Sequence, residues 1–152
     1  MAQQKLMSDL LKLLPKKIRV SYSDIELNIT EDKNFLEQCY GEYDSRNNKL
    51  TIAKDVGPQD LANTLLHELI HASVWYGGLK DDGSPLEDDK KEEHVVNVIT
   101  NQLCQILRDN PKVLTAIKKG LTVKNGRPKE RNKVVALSKK VFERYTFHKN
   151  RK

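Results

Sequence analysis

The stretch "TLLHELIHA", residues 64–72, places two histidines four residues apart with a glutamate directly after the first. On an α-helix, residues at this spacing lie on one face about 5–6 Å apart at Cβ, so His67 and His71 can direct ring nitrogens at one ion. Glu68 projects about 100° away from His67. It is poorly placed to bind the same ion and well placed beside it, where a carboxylate can take a proton from water. The pattern therefore indicates a zinc site. The competing interpretation, two histidines sharing a face without a metal, is disfavoured because unpaired histidines are costly to bury among apolar residues.

A catalytic zinc site uses three protein ligands and keeps one position open. The longer HExxHxxGxxH motif is absent, because Val74 and Gly77 occupy its glycine and third histidine positions. The segment "KKEEHVVN" offers three other candidates, Glu92, Glu93 and His94. The third ligand is therefore expected on a second helix.

Helical geometry separates these candidates in part. The expected buried stripe of the second helix consists of apolar residues at helical spacing: Val95, Val96, Ile99, Leu103 and Ile106. Glu92 lies near the centre of that stripe, Glu93 flanks it, and His94 faces nearly away. The competing interpretation for each is an acidic first or second turn that interacts with the helix dipole and with solvent.

Strand and turn signals precede the histidines. The segment "YGEYDSRNNKLTIA", residues 40–53, predicts a β-hairpin, since asparagine tolerates the positive φ of such turns. The segment "IRVSYSDIELNI", residues 18–29, predicts an extended segment or strand. Gly57 and Pro58 predict the start of the histidine helix, which should continue to about Tyr76 and end at Gly77 and Gly78.

Helices are predicted over most of the remaining chain. Leucines at helical spacing predict a short helix within residues 3–14, a segment that lacks a targeting-peptide cleavage pattern. A capping-box pattern at Ser84 to Glu87 predicts a long helix from about Pro85 to about Asp109. A shorter helix should follow from Pro111 to Gly120 and, after a loop, a basic amphipathic helix over residues 132–147.

The bulk composition is that of one soluble domain. The chain has 152 residues, of which 38% are hydrophobic and 32% charged, and no apolar run reaches the roughly 20 residues that a membrane span needs. Only two cysteines occur, Cys39 and Cys104, and they form no CxxC pattern. No disulfide framework is expected, and this cysteine usage favours a reducing, cytoplasmic location without a membrane partner.

The sequence resembles the compact HExxH zincins encoded by many bacteriophages, which are related to ImmA/IrrE-like metallopeptidases and more loosely to SprT-like ones. The resemblance covers residues 18–111 and rests on "YGEYDSRNNKLTI", "TLLHELIHASVWYGGL" and "EEHVVNVITNQLCQILRDNP". It implies an α+β fold in which residues 1–111 form a small zincin-like metallopeptidase domain. A short antiparallel sheet would pack on the HExxH helix, next to a second, ligand-bearing helix. Residues 112–152 would form a basic helical C-terminal extension.

The resemblance also implies roles for individual residues. In this group the third ligand is a glutamate in an E-x-x-x-[DN] setting on the following helix, and Glu93 with Asn97 matches that pattern. It therefore favours Glu93, whereas the stripe favours Glu92, and both remain candidates beside His94. Asn97 would orient His67 or His71 from behind.

The function implied by the resemblance is that of a zinc-dependent peptidase of gluzincin type. His67, His71 and Glu93 would hold Zn²⁺, and Glu68 would be the general base for hydrolysis of a protein or peptide substrate. The strand "KLTIA" would form the edge of the zinc cleft, where an extended peptide can add as one more strand. Tyr76 and His94 are candidates for steadying the oxyanion, against the simpler roles of packing and solvation.

The charge of the chain is strongly segregated. Residues 112–152 carry 14 Lys and Arg against two acids, a net of +12, whereas residues 1–111 carry 13 against 19, a net of −6. The basic extension could bind nucleic acid through its lysines and arginines. This supports an alternative function, a nucleic-acid-binding protein with the zincin body as scaffold or as a DNA-tethered, SprT-like protease. The competing interpretation is that the apolar stripe of the extension packs on the acidic body.

Overall fold

A computed structural model describes residues 2–122 of the chain. Five helices and four strands follow one another along this part of the chain. They are α1 (Ala2–Leu13), β1 (Lys17–Val20), β2 (Ser23–Thr30), α2 (Lys33–Leu36), β3 (Gly41–Asp44), β4 (Lys49–Ala53), α3 (Pro58–Tyr76), α4 (Asp89–Asp109) and α5 (Pro111–Thr122). The fold class is α+β, as predicted. None of the helices among these residues has the length and apolar composition of a membrane span.

The sheet is mixed, and the prediction of an antiparallel sheet was wrong. The strand order is β1-β2-β4-β3. The outer pairs β1–β2 and β3–β4 are antiparallel hairpins, while β2 and β4 at the centre are parallel. The parallel pair arises because the chain passes through α2 and β3 before β4 joins β2. The strand "KLTIA", which is β4, therefore lies in the interior of the sheet, and the strand at the edge next to it is β3.

The two hairpins use residues with positive φ at their turns. Asn48 has a φ of 53° in the turn between β3 and β4, as the asparagine-rich sequence predicted. Asp44 stabilises this turn by accepting hydrogen bonds from the backbone N–H groups of Arg46 and Asn47 at 2.9 and 3.1 Å. Ser21, also with a φ of 53°, divides the predicted extended segment into β1 and β2.

The core lies between the sheet and α3. Its fully packed members come from β2, β4 and α3, namely Ile25, Leu50, Ile52, Leu61 and Ala72. Burial of each large aliphatic side chain stabilises the fold by about 1.5–3 kcal/mol. This core holds α3 against the sheet with a defined rotation about its axis. The predicted bounds of α3 are confirmed, with Pro58 at its first turn and Gly77 as its C-cap.

The predicted start of α4 was wrong by about one helical turn. The helix begins at Asp89 because the Asp88 side chain accepts a hydrogen bond from the Lys91 N–H at 2.9 Å. Ser84, the predicted cap, instead donates its hydroxyl to the Leu79 carbonyl within the preceding loop. The predicted buried stripe was wrong in its C-terminal part, since Ile99, Leu103 and Ile106 are exposed, whereas its member Val96 is buried. The buried residues of α4 are Glu92, Val96 and Thr100.

The chain divides into two units, Met1–Pro111 and Lys112–Lys152. Helix α5 begins at Pro111 as predicted, but Gly120 does not end it, because the helix continues to Thr122. Its apolar side chains Val113, Leu114, Ile117 and Leu121 are exposed. The predicted helix over residues 132–147 lies outside the described residues.

Candidate metal centre

Helix α3 directs two imidazole rings at one point. His67 and His71 are one turn apart, and their Nε2 atoms are 3.0 Å from each other. The side chains are 17% and 18% exposed, so both rings lie at the border between the core and solvent. Burial and the neighbouring His71 lower the pKa of His67, which favours the neutral ring that can donate a lone pair.

Helix α4 adds a carboxylate to this pair. Glu93 Oε1 is 3.7 Å from His67 Nε2, and Glu93 Oε2 is 3.2 Å from His71 Nε2. One ligand atom from each of the three residues lies within 4.8 Å of the others. In a tetrahedral zinc site with bonds of about 2.0–2.1 Å, neighbouring ligand atoms are about 3.3 Å apart. The donor set could therefore hold a metal ion, and its spacing and chemistry are compatible with zinc.

Glu92 lies on the Nδ1 side of the His71 ring and is not one of the three converging residues. Its Oε1 atom is 2.7 Å from His71 Nδ1. A carboxylate can only accept a hydrogen bond, so this contact places a ring proton on Nδ1, and in the neutral ring the lone pair is then on Nε2, which is 3.2 Å from Glu93 Oε2. Burial raises the pKa of Glu92, but hydrogen bonds from Lys80 and His71 outweigh it and lower the pKa overall. Glu92 is thus placed to orient a ligand.

The remaining predicted residues of α4 have other surroundings. His94 is exposed and does not belong to the group of three converging residues. Asn97 was predicted to orient His67 or His71, but its Nδ2 atom donates to Glu93 Oε1 at 2.7 Å. The spacing of four residues on one helix places this amide beside the carboxylate. Asn97 therefore orients Glu93.

Glu68 lies beside the histidines and is buried, with 6% of its surface exposed. Burial is the main cause that raises the pKa of this carboxyl to about 7, against a lowering hydrogen bond from the backbone of Tyr43. Strand β3 can pass this close because residue 41 is glycine. A Cβ atom there would be 3.1 Å from both Cγ and Oε1 of Glu68.

A cavity of about 600 Å³ opens in front of these side chains. Its walls come from the β3 edge, from α3 and from the first turn of α4. The lining includes Tyr40, Gly41, Glu42, Tyr43, His67, Glu68, His71, Trp75, Lys80, Glu92 and Glu93. A ligand in this cavity would therefore contact the free side of β3 and the histidine pair together.

Tyr76 does not belong to this site. Its hydroxyl donates to Asn48 Oδ1 at 2.6 Å, and its ring packs edge to face on Tyr22 with centroids 5.2 Å apart. The end of α3 is thereby attached to the β3–β4 turn. Tyr76 does not line the cavity and packs at the end of α3, which is the simpler of the two roles considered for it in the sequence.

Two residues of the site, Gly41 and Lys80, were not predicted from the sequence. Gly41 lies within a hairpin that was recognised, and a glycine inside a strand often marks a close approach of the backbone. Lys80 contacts Glu92 from a loop rich in Gly and Asp, where no periodic pattern indicates which side chains meet. Of the two, only Gly41 had a sequence feature that could have predicted its place in the site.

Comparisons of the chain with protein families, with curated proteins and with solved structures find no match.

Proposed function

We propose that this chain is a zinc-dependent peptidase in which His67, His71 and Glu93 hold the ion and Glu68 is the general base. The observation that carries this proposal is the convergence of two imidazole nitrogens and a carboxylate within 4.8 Å of one another. They line the same cavity as a buried carboxylate that takes no part in their triangle. This separation of three ligands from one base is what metal-assisted hydrolysis requires.

The chemistry is divided between the ion and the chain. A bound zinc ion would supply Lewis acidity, which polarises a carbonyl and makes a water molecule acidic near neutral pH. The Glu68 carboxylate accepts the proton of the attacking water and then passes it to the leaving amine nitrogen. Glu92 keeps the proton of His71 on Nδ1, and Asn97 holds the Glu93 carboxylate by one oxygen.

The proposed substrate is an extended segment of a peptide or protein. Strand β3 is the last in the sheet order, so one of its sides has no partner strand among the described residues. Residues of that strand line the cavity in front of the histidines. A peptide could pair with this edge through backbone hydrogen bonds and so bring a peptide bond near the donor group.

The decisive test compares zinc content and hydrolysis in Glu68→Gln. The amide keeps the shape of the side chain but cannot act as a base. The variant is expected to hold one equivalent of zinc, measured by elemental mass spectrometry, and to lose cleavage of a denatured-protein mixture, measured by peptide mass spectrometry. Glu26→Gln, which changes an exposed glutamate on β2, is the matched control. Wild-type protein without stoichiometric zinc, or Glu68→Gln with full activity, would refute the proposal.

A second candidate function is nucleic-acid binding by residues 112–152. It is supported by the net charge of +12 in this segment, opposite in sign to the rest of the chain. Of these residues, the structure describes α5, which carries Lys112, Lys118 and Lys119. Binding to a DNA duplex should weaken steeply as salt rises and be lost when the chain is ended after residue 122. Binding that is insensitive to salt, or that survives the truncation, would exclude this candidate.

A further inference from the structure

Lys80 is held in place by the loop that joins α3 to α4. Its neighbour Leu79 is fixed on both sides, because the Leu79 N–H donates to the Val74 carbonyl at 3.1 Å and the Leu86 N–H donates to the Leu79 carbonyl at 2.9 Å. These bonds attach the loop to the last turn of α3 and close it on itself. The backbone at Lys80 is therefore held in a defined position next to the cavity.

The Lys80 ammonium group contacts two carboxylates in the first turn of α4. Nζ is 2.7 Å from Asp89 Oδ1 and forms an ion pair with Glu92 Oε2. The three side chains differ in exposure, at 30% for Lys80, 87% for Asp89 and 7% for Glu92. Ion pairs between exposed side chains contribute little, whereas a buried carboxylate depends strongly on its partner. The contact with Glu92 is therefore the consequential one.

The two oxygens of Glu92 connect Lys80 to the candidate metal centre. Oε2 pairs with Lys80, while Oε1 accepts the hydrogen bond from His71 Nδ1 at 2.7 Å. The other nitrogen of the same ring, Nε2, faces Glu93 at 3.2 Å. A continuous chain of charge-assisted contacts thus runs from the loop lysine to the lone pair of a candidate ligand.

We infer that Lys80 is a positioning residue for the metal centre, acting through Glu92 on the orientation and tautomer of His71. This inference rests on the proposed function. Without the ammonium group, Glu92 would be a buried carboxylate with one polar partner instead of two, free to change rotamer or to be hydrated. Either change loosens the hydrogen bond that keeps the proton of His71 on Nδ1. The loop between α3 and α4 then helps to set metal affinity although it contributes no ligand.

The chain offers a matched control lysine. Lys54 forms an ion pair with Glu31, but these side chains are 51% and 71% exposed, and neither lines the cavity of the metal centre. Lys80→Met and Lys54→Met therefore remove the same charge and the same kind of contact at two places. Lys80→Arg restores the charge and the hydrogen-bond donors at the first place.

The experiment measures zinc dissociation constants by competition with a chromogenic chelator. Lys80→Met should weaken zinc binding by about 10-fold, within the range seen for groups that orient metal ligands. Lys54→Met should bind as the wild type does, and Lys80→Arg should recover most of the loss. The visible spectrum of the Co²⁺-substituted protein should change in Lys80→Met and return in Lys80→Arg, since it reports ligand geometry rather than overall stability.

Three results would overturn the inference in different ways. Lys80→Met with wild-type zinc affinity refutes it, even if the variant melts at a lower temperature, because Lys80 would then have a structural role alone. An equal loss in Lys54→Met would show a general effect of charge. Wild-type protein that binds no zinc would refute the proposed function together with this inference.

A double-variant comparison tests whether Lys80 acts through Glu92. Glu92→Gln keeps an oxygen that can accept from His71 Nδ1 and removes the charge that Lys80 neutralises. In this background, Lys80→Met should cost clearly less than its 10-fold effect in the wild type, because coupled residues are not additive. A full additional 10-fold loss would show that Lys80 reaches the site by another route, and would overturn the assigned path.

Discussion

Gly41→Ala should reveal how tightly strand β3 is packed against the histidine helix. A Cβ atom at this position would be 2.4 Å from Thr64 Cγ2, where ordinary contacts begin at 3.4 Å. The strand and the helix must therefore separate by about 1 Å. Thr64 has little room to give way, since it is buried in a close-packed interior.

The expected cost follows from this overlap. Overpacking of a close-packed interior destabilises a protein by about 1–3 kcal/mol. Alanine also restricts the unfolded chain, which offsets about 0.4–1 kcal/mol of that cost. An overlap of about 1 Å with a buried group falls in the upper part of that range, about 2–3 kcal/mol, so the net cost is about 1–2.6 kcal/mol. At about 2–4 °C per kcal/mol for a chain of this size, Tm falls by roughly 2–10 °C. Gly120→Ala is the control, because a Cβ there meets no atom within 4 Å and alanine favours the α5 helix.

The assay is urea unfolding of the metal-free protein, followed by far-ultraviolet circular dichroism. Thr64→Ser removes the methyl group that the new Cβ would meet, so the Gly41→Ala, Thr64→Ser double variant should be more stable than the sum of its single changes predicts. Gly41→Ala with wild-type stability would refute the close approach of β3 to α3. Additive effects in the double variant would show that the strain lies elsewhere.

Three further predictions concern the metal centre and its surroundings. Glu93→Gln should weaken zinc binding by more than about 10-fold while His94→Gln leaves it unchanged, because only Glu93 belongs to the converging group; equal effects in chelator competition would contradict this assignment. Tyr76→Phe should lower the free energy of unfolding by about 0.5–1.5 kcal/mol through loss of the bond to Asn48, with no change in zinc affinity. If Tyr76→Phe instead lost hydrolysis at unchanged stability, Tyr76 would have a role in the reaction. Zinc at 100 times its Kd should stabilise the wild type by about 2.7 kcal/mol in denaturant unfolding. That gain should disappear in His67→Ala, and its persistence would show that the ion binds elsewhere.

The elements that were predictable from the sequence are those with local signals. Pro58 suits the first turn of a helix, and Gly77 suits its end, so the bounds of α3 could be placed to the residue. The β3–β4 hairpin was equally accessible, because Asn48 takes the positive φ that its turn requires. These signals act over a few residues and do not depend on the rest of the fold.

Features that depend on distant residues were not predictable in the same way. The parallel pairing of β2 with β4 joins Glu26 to Lys49 in register, and no local pattern distinguishes this from an antiparallel neighbour. The edge strand was therefore misassigned to "KLTIA". The start of α4 failed for a different reason, since both Ser84 and Asp88 are good N-caps and the loop uses the first for its own closure.

Which of Glu92 and Glu93 can share an ion with His71 depends on which ring nitrogen each carboxylate contacts. Adjacent residues on a helix point about 100° apart, so the two carboxylates cannot occupy the same side of His71. Glu92 was predicted nearer the buried face of α4, and it is buried there, with its Oε1 2.7 Å from His71 Nδ1. Glu92 also lines the cavity, but its Oε1 is engaged by Nδ1, on the side of the His71 ring away from Nε2. Glu93, at the edge of the buried face, meets Nε2 instead. In this chain the buried position of Glu92 therefore favours contact with Nδ1 of His71, and the more exposed position of Glu93 favours contact with Nε2.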